Sequence, residues 1–332
     1  MLNFTAIDEF WKLVNLLKKD QPLTDELWNK FYSIEANKEY ASKNISDDDL
    51  FQYKNSLEIV FRPSYKNLLQ EEINAKNEWV IKTNRYREYE EELKEYCKIL
   101  KSKDYASLMH EQAYRQLPTS MQQPCKDLKI YIIPIGADAA AHDTTIYLSL
   151  HILYFFDKHN EAAIAGHELH HVLREDFKSK KPIEEKHEGV IYFLESIQNE
   201  GVADLIDKKI VIDHNDQLPS ELQWKSALIM HNEDVIQKID QMLKNAHLSN
   251  DTNTISEDDV RNLIMHTSGH VPGFYMATII TKQLYHTEMI ENISNPFHFF
   301  KLYNTAAIKE TTAPQFSIES IKYIEQLENY YN

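Results

Sequence analysis

The sequence predicts an α+β fold that is predominantly α-helical, with one small β-sheet and a helical N-terminal region. Two observations predict it: apolar residues recur three and four apart through most of the chain, and only two short segments rich in Ile, Tyr and Thr interrupt that period. A third sets the organisation. At 332 residues the chain exceeds the roughly 250 to 300 at which single cores stop growing, and Pro118 and Pro124 mark a break. Residues 1–120 are therefore expected as a helical N-terminal region and 121–332 as a second region.

In chain order, Thr5 begins a helix with the apolar face Phe10, Leu13, Val14 and Leu17, and Thr24 begins another carrying Leu27, Trp28 and Phe31. Ser46 before Asp47, Asp48 and Asp49 marks a third. From Glu71 to Leu100 the seam Tyr86, Tyr89, Leu93, Tyr96 and Leu100 predicts one long helix packed on a neighbour. Leu128 to Ile133 and Thr144 to Leu150 read as strands joined by a Gly136 to Asp143 loop. Helices follow at about 160–177, 187–208, 219–246, 256–266, 272–286 and 315–330, with Ser256 and Asp259 as a capping box. Gly166 and Gly201 fall inside predicted helices, where Gly costs about 1 kcal/mol against Ala, which suggests close packing around a site.

A formal net charge of −16 speaks against nucleic-acid binding, which needs a basic surface. No apolar run approaches the roughly 20 residues of a membrane span, so no membrane partner is expected. Only two cysteines occur, Cys97 and Cys125, and the first ten residues lack a basic and then apolar leader, so a cytoplasmic location is expected. The sequence says nothing of oligomeric state.

Gly166-His167-Glu168-Leu169-His170-His171 contains His-Glu-x-x-His in a helical segment. Residues four apart share a helix face, so His167 and His171 can address one metal ion, with Glu168 beside the remaining position, where it can take a proton from a water on the metal. His170 could instead pair with His167 at a spacing of three, but the four-residue pair keeps the Glu in place. A catalytic zinc takes three protein ligands, and the best third candidate is Glu200 in Asn199-Glu200-Gly201-Val202-Ala203-Asp204. Asp204, one turn on, can accept the second ring N–H of a ligand histidine. Glu188, Glu195 and His187 are rivals, but Glu195 lies some 140° around the helix from Glu200 at 100° per residue.

With those residues in view, His-Glu-x-x-His followed by Asn-Glu-x-x-x-Asp resembles the gluzincin metallopeptidases of the thermolysin type. Ile-Tyr-Leu-Ser-Leu, Gly-His-Glu-Leu-His-His-Val-Leu-Arg, Gly-His-Val-Pro-Gly-Phe-Tyr-Met-Ala and Asn-Pro-Phe-His-Phe-Phe-Lys-Leu-Tyr-Asn are similar to bacterial families described only as zinc-dependent peptidases, over about residues 125 to 330. The metzincin pattern does not fit, since Arg174 and Phe177 stand where its Gly and third His belong. The resemblance implies a zincin-like catalytic domain, a Zn²⁺ cofactor, a peptide or protein substrate, and Thr144 to Leu150 as an edge strand pairing with substrate. It also implies a His or Tyr for the oxyanion, with His270 and Tyr275 as candidates and a helix-capping or core role as their alternative.

The expected function is thus peptide hydrolysis with zinc on His167, His171 and Glu200. Two alternatives remain open at this point: hydrolysis of a non-peptide bond, and a helical interaction protein in which zinc only stabilises the scaffold.

Overall fold

The computed structural model describes residues 2–175, 177, 181–230, 232–249, 255–264 and 267–331. It is mostly helical, with a four-stranded mixed sheet, and divides into two compact units.

The first unit comprises residues 1–110, 125–169 and 219–221. Its strands β1 (Leu2–Asn3), β2 (Lys129–Ile133), β3 (Ala139–His142) and β4 (Thr145–Ser149) stand in the order β1-β2-β4-β3. β2 and β4 run parallel from Lys129↔Thr145 to Ile133↔Ser149, and both are nearly continuous apolar runs, as parallel strands covered on both faces require. The expected edge strand at Thr144 to Leu150 is corrected here. The Gly136 to Asp143 loop folds back as β3, antiparallel to β4 from Ala139↔Leu148 to His142↔Thr145, so β4 is interior and its backbone groups are engaged on both sides.

Two of the three expected caps form in this unit; Thr5 instead lies inside its helix, which starts after Phe4 with no side-chain cap. Thr24 accepts the Leu27 N–H and Ser46 the Asp49 N–H at the starts of Asp25–Tyr32 and Asp47–Phe61. The long helix expected across 71–100 is instead three: Lys66–Asn74, Glu78–Glu88 and Glu90–Ser102. Lys76 turns left-handed at φ 59°, Asn77 caps the next helix through Val80 N–H, and Tyr89 breaks the run again. Helix Leu150–Asp157 intervenes between β4 and the His-Glu-x-x-His helix, Ala163–Glu175. Asp157 fixes the entry to the latter. Its carboxylate accepts the hydroxyls of Tyr96 and Tyr105 and the Ala162 N–H, with Ala162 held at φ 60°.

The second unit comprises 111–124, 170–218 and 222–332. Its axis is the 27-residue helix Glu188–His214, crossed by His270–Lys282. The expected helix at 219–246 is divided into a 3₁₀ turn at Ser220–Leu222 and helices Lys225–Met230 and Asn232–Leu248. Ser256 and Asp259 form the capping box of Glu257–Leu263. The expected end of that helix at 266 lies outside the described residues. Two helices not expected from the sequence, His286–Glu291 and Pro296–Lys309, lead to Ile318–Tyr331. Phe193, Phe299, Phe300, Tyr303 and Phe316 are at the centre of this core. Among the described residues no helix is long and apolar enough to cross a membrane.

Candidate metal centre

The helix Ala163–Glu175 carries the His-Glu-x-x-His motif. His167 and His171 are one turn apart on it, both largely shielded, and Glu168 is buried. The His170 ring is engaged elsewhere, its Nε2 lying 3.2 Å from the Gln116 carbonyl oxygen. The pairing of His167 with His170 is therefore disfavoured.

Glu200 and Asp204 lie one turn apart on the axial helix, and a glycine contact brings the helix His270–Lys282 onto them. A Cβ on Gly201 would sit 2.4 Å from Gly273 O and 2.7 Å from its Cα, and one on Gly273 would sit 2.4 Å from Ile197 O. The two backbones thus touch, which only a pair of glycines permits. Gly269, at φ 100°, turns the chain so that His270 opens the crossing helix, three residues before Gly273. Glu200 Oε2 then lies 3.3 Å from His171 Nε2 and 3.4 Å from His270 Nδ1, while His270 Nδ1 lies 2.9 Å from Asp204 Oδ1.

The charges around these groups are unusual for so dry a place. Asp204 and Asp207 are 0% exposed, and the buried Lys208 ammonium bonds both, at 3.2 and 2.9 Å. Burial opposes a charge on Lys208, but the two carboxylates outweigh it and hold its pKa high. At His270 burial likewise disfavours the charged ring. Attraction by Asp204 and Glu200 exceeds that term and holds the pKa above the ordinary histidine value. Trp224, 42% exposed, borders His270 with ring centroids 6.3 Å apart, and Lys208 Nζ is 5.8 Å from the Trp224 centroid.

The donor set fits a zinc ion. Within the second unit Glu200, Asp204 and His270 each offer a ligand atom, and these atoms lie within 4.8 Å of one another. Imidazole and carboxylate together are zinc chemistry. His171, in the same unit, also reaches Glu200, as above.

Tyr275 is not brought to this group. Five residues beyond His270, about 140° around the helix, it packs on Tyr303 at 6.3 Å, and the charges that bear on it are Glu233 and Glu310. The rivals also lie elsewhere: Glu195 lines a small cavity with Lys181, Ile183 and Ser294, and His187 Nδ1 is 2.8 Å from the Tyr331 hydroxyl. Sequence reasoning missed Lys208, four residues past Asp204 and so legible as a helical ion pair, and Trp224, which carries no local signal. It also missed the buried grip of Arg174 on Gln198 and Asn199.

Comparison with protein families finds a match over residues 28–312 to the family described as "Putative zinc dependent peptidase". Comparisons with curated proteins and with solved structures find no match.

Proposed function

This chain belongs to the family so described, and from that premise we propose that it is a peptidase of the gluzincin type, with a zincin-like catalytic region holding Zn²⁺ on His167, His171 and Glu200. The observation that carries the reading is Glu200 Oε2 at 3.3 Å from His171 Nε2, on a helix separate from the one that bears both histidines. Bound zinc would polarise a peptide carbonyl and acidify a water. The chain's own groups do the rest. Glu168 accepts the proton of the attacking water and passes it to the leaving amine. Asp204 accepts a hydrogen bond from the Nδ1–H of His270 and holds the ring, and a raised pKa favours the doubly protonated ring, whose Nε2–H can donate to an oxyanion. Trp224 forms an aromatic wall beside that histidine.

A second reading is favoured by the grouping of His270 with Glu200 and Asp204 in the second unit: His270 could ligate in place of His171. Zinc content of His171→Ala and His270→Ala separates the two, since only the true ligand should lower it. Glu168→Gln should keep zinc near one per chain while hydrolysis of a peptide library falls by at least a thousandfold. Retained hydrolysis would remove Glu168 from the role proposed, and cleavage of esters or amides without cleavage of peptides would favour a non-peptide substrate.

A further inference from the structure

Arg174, in the last turn of the His-Glu-x-x-His helix, is 1% exposed and among the largest fully buried side chains of the protein. Each of its hydrogen bonds goes to a neutral acceptor: Nε to Ile293 O at 3.1 Å, Nη1 to Asn199 Oδ1 at 2.8 Å, and Nη2 to Gln198 Oε1 at 2.7 Å. Burying a cation with no directly bonded carboxylate is costly, so packing alone is a poor reason for an arginine here. A guanidinium only donates, and it therefore dictates how each amide must face. With its oxygen taken by Arg174, Gln198 turns its NH₂ to Asn295 O and Asn292 O, at 3.3 and 3.4 Å. Asn199, held in the same way, turns its NH₂ toward Glu200 Oε1 at 3.4 Å. The other oxygen of Glu200 is the one that faces His171 and His270.

We infer that Arg174 and Asn199 are positioning residues for Glu200: the arginine fixes the orientation of the asparagine amide, and the amide holds one carboxylate oxygen so that the other is presented to the metal as a single-oxygen ligand. This rests on the reading of Glu200 as a zinc ligand. It explains why the residue beside Glu200 is an amide, which can accept from an arginine on one side and donate to a carboxylate on the other.

The test is Asn199→Asp, with Asn199→Ala as a second variant, read by zinc affinity in chelator competition, melting of the metal-free protein, and the visible spectrum of the Co²⁺ form. Aspartate keeps the acceptor for Arg174 and gains an ion pair, so metal-free melting should hold. It loses the N–H to Glu200 Oε1, so zinc Kd should rise about 10- to 100-fold, the usual effect of removing an outer partner of a ligand. The Co²⁺ bands should shift as Glu200 is freed to bind through both oxygens. Asn199→Ala should weaken zinc similarly. Affinity within about twofold of wild type in both variants, with unchanged Co²⁺ bands, overturns the inference. Glu200→Ala separates the two levels. If it too leaves zinc affinity unchanged, the ligand assignment itself has failed; if it alone weakens zinc, only the positioning role has.

Discussion

Gly201→Ala tests the helix crossing that assembles the centre, because the sign of its effect is in question. In a helix with room for a methyl group, Gly to Ala stabilises by about 1 kcal/mol. Here the new Cβ would meet Gly273 O at 2.4 Å, C at 2.5 Å and Cα at 2.7 Å, all backbone atoms that no rotamer change can move. Comfortable carbon contacts begin near 3.5 Å, so the helices must part by about 1 Å. Forcing a methylene-sized group into a packed interface costs about 1 to 3 kcal/mol, and rigid backbone on both sides argues for the upper end. Subtracting the propensity gain leaves a net loss of about 2 kcal/mol, or about 4 to 8 °C in Tm for a unit of this size. The same displacement would carry His270 Nδ1 away from its 2.9 Å contact with Asp204, so zinc affinity should fall with stability. Calorimetry of the metal-free protein and chelator competition read the two effects. A Tm equal to or above that of wild type would mean the backbones do not touch at this crossing.

Two further perturbations are predicted. Burial raises the Asp157 carboxyl to about 6, overcoming the opposing hydrogen bonds from Tyr96, Tyr105 and the Ala162 N–H. The folded chain therefore holds this proton more tightly than the unfolded chain, whose value is 3.8, so the group's contribution is complete below pH 3.8 and is lost as pH rises to about 6. The loss is roughly 3 kcal/mol at 1.36 kcal/mol per pH unit. Asp157→Asn should lack it, and its denaturant stability relative to wild type should climb by that order between pH 4 and 6.5; a difference independent of pH sinks the assignment. Trp224→Ala should leave zinc affinity unchanged and cut kcat/KM about 5- to 10-fold, roughly 1 to 1.4 kcal/mol, for peptides with a large apolar side chain near the scissile bond. An equal loss across all peptides would count against a wall that selects side chains.

What was legible in the sequence is what local geometry fixes. Thr24, Ser46 and Ser256 stand where caps must stand, and each does cap a helix. The four-residue spacing of His167 and His171 is set by the helix itself. The break at Tyr89 was hidden because the apolar seam continues across it, and the one at Lys76 because a single left-handed residue leaves no strong mark in the sequence. β3 was hidden because Ala139, Ala140 and Ala141 carry no strand preference; pairing with β4 makes them a strand. His270 joined the centre through contact between glycines 72 residues apart, of which only Gly201 lay in the interior of a predicted helix. Arg174, read alone, is an ordinary basic residue in a last helical turn, and only the return of the next helix reveals it as buried.

The buried charges around Glu200 point in one direction when weighed as energy. Asp204, Asp207, Lys208 and Arg174 are removed from water at a cost of several kcal/mol per ion, and apolar side chains of similar volume would commonly give an equally stable or more stable core. Stability is thus a weak reason for these residues. Each of them instead constrains a group at the centre: Lys208 holds Asp204, Asp204 holds His270, and Arg174 holds Asn199 against Glu200. A rigid set of carboxylates aimed at one point is poorly suited to an empty interior and well suited to a cation. Zinc should therefore stabilise the folded protein by RT ln(1 + [Zn]/Kd), about 4 kcal/mol at a thousandfold excess over Kd, and raise its Tm accordingly. An unchanged melt on zinc addition would leave the buried charges without that purpose.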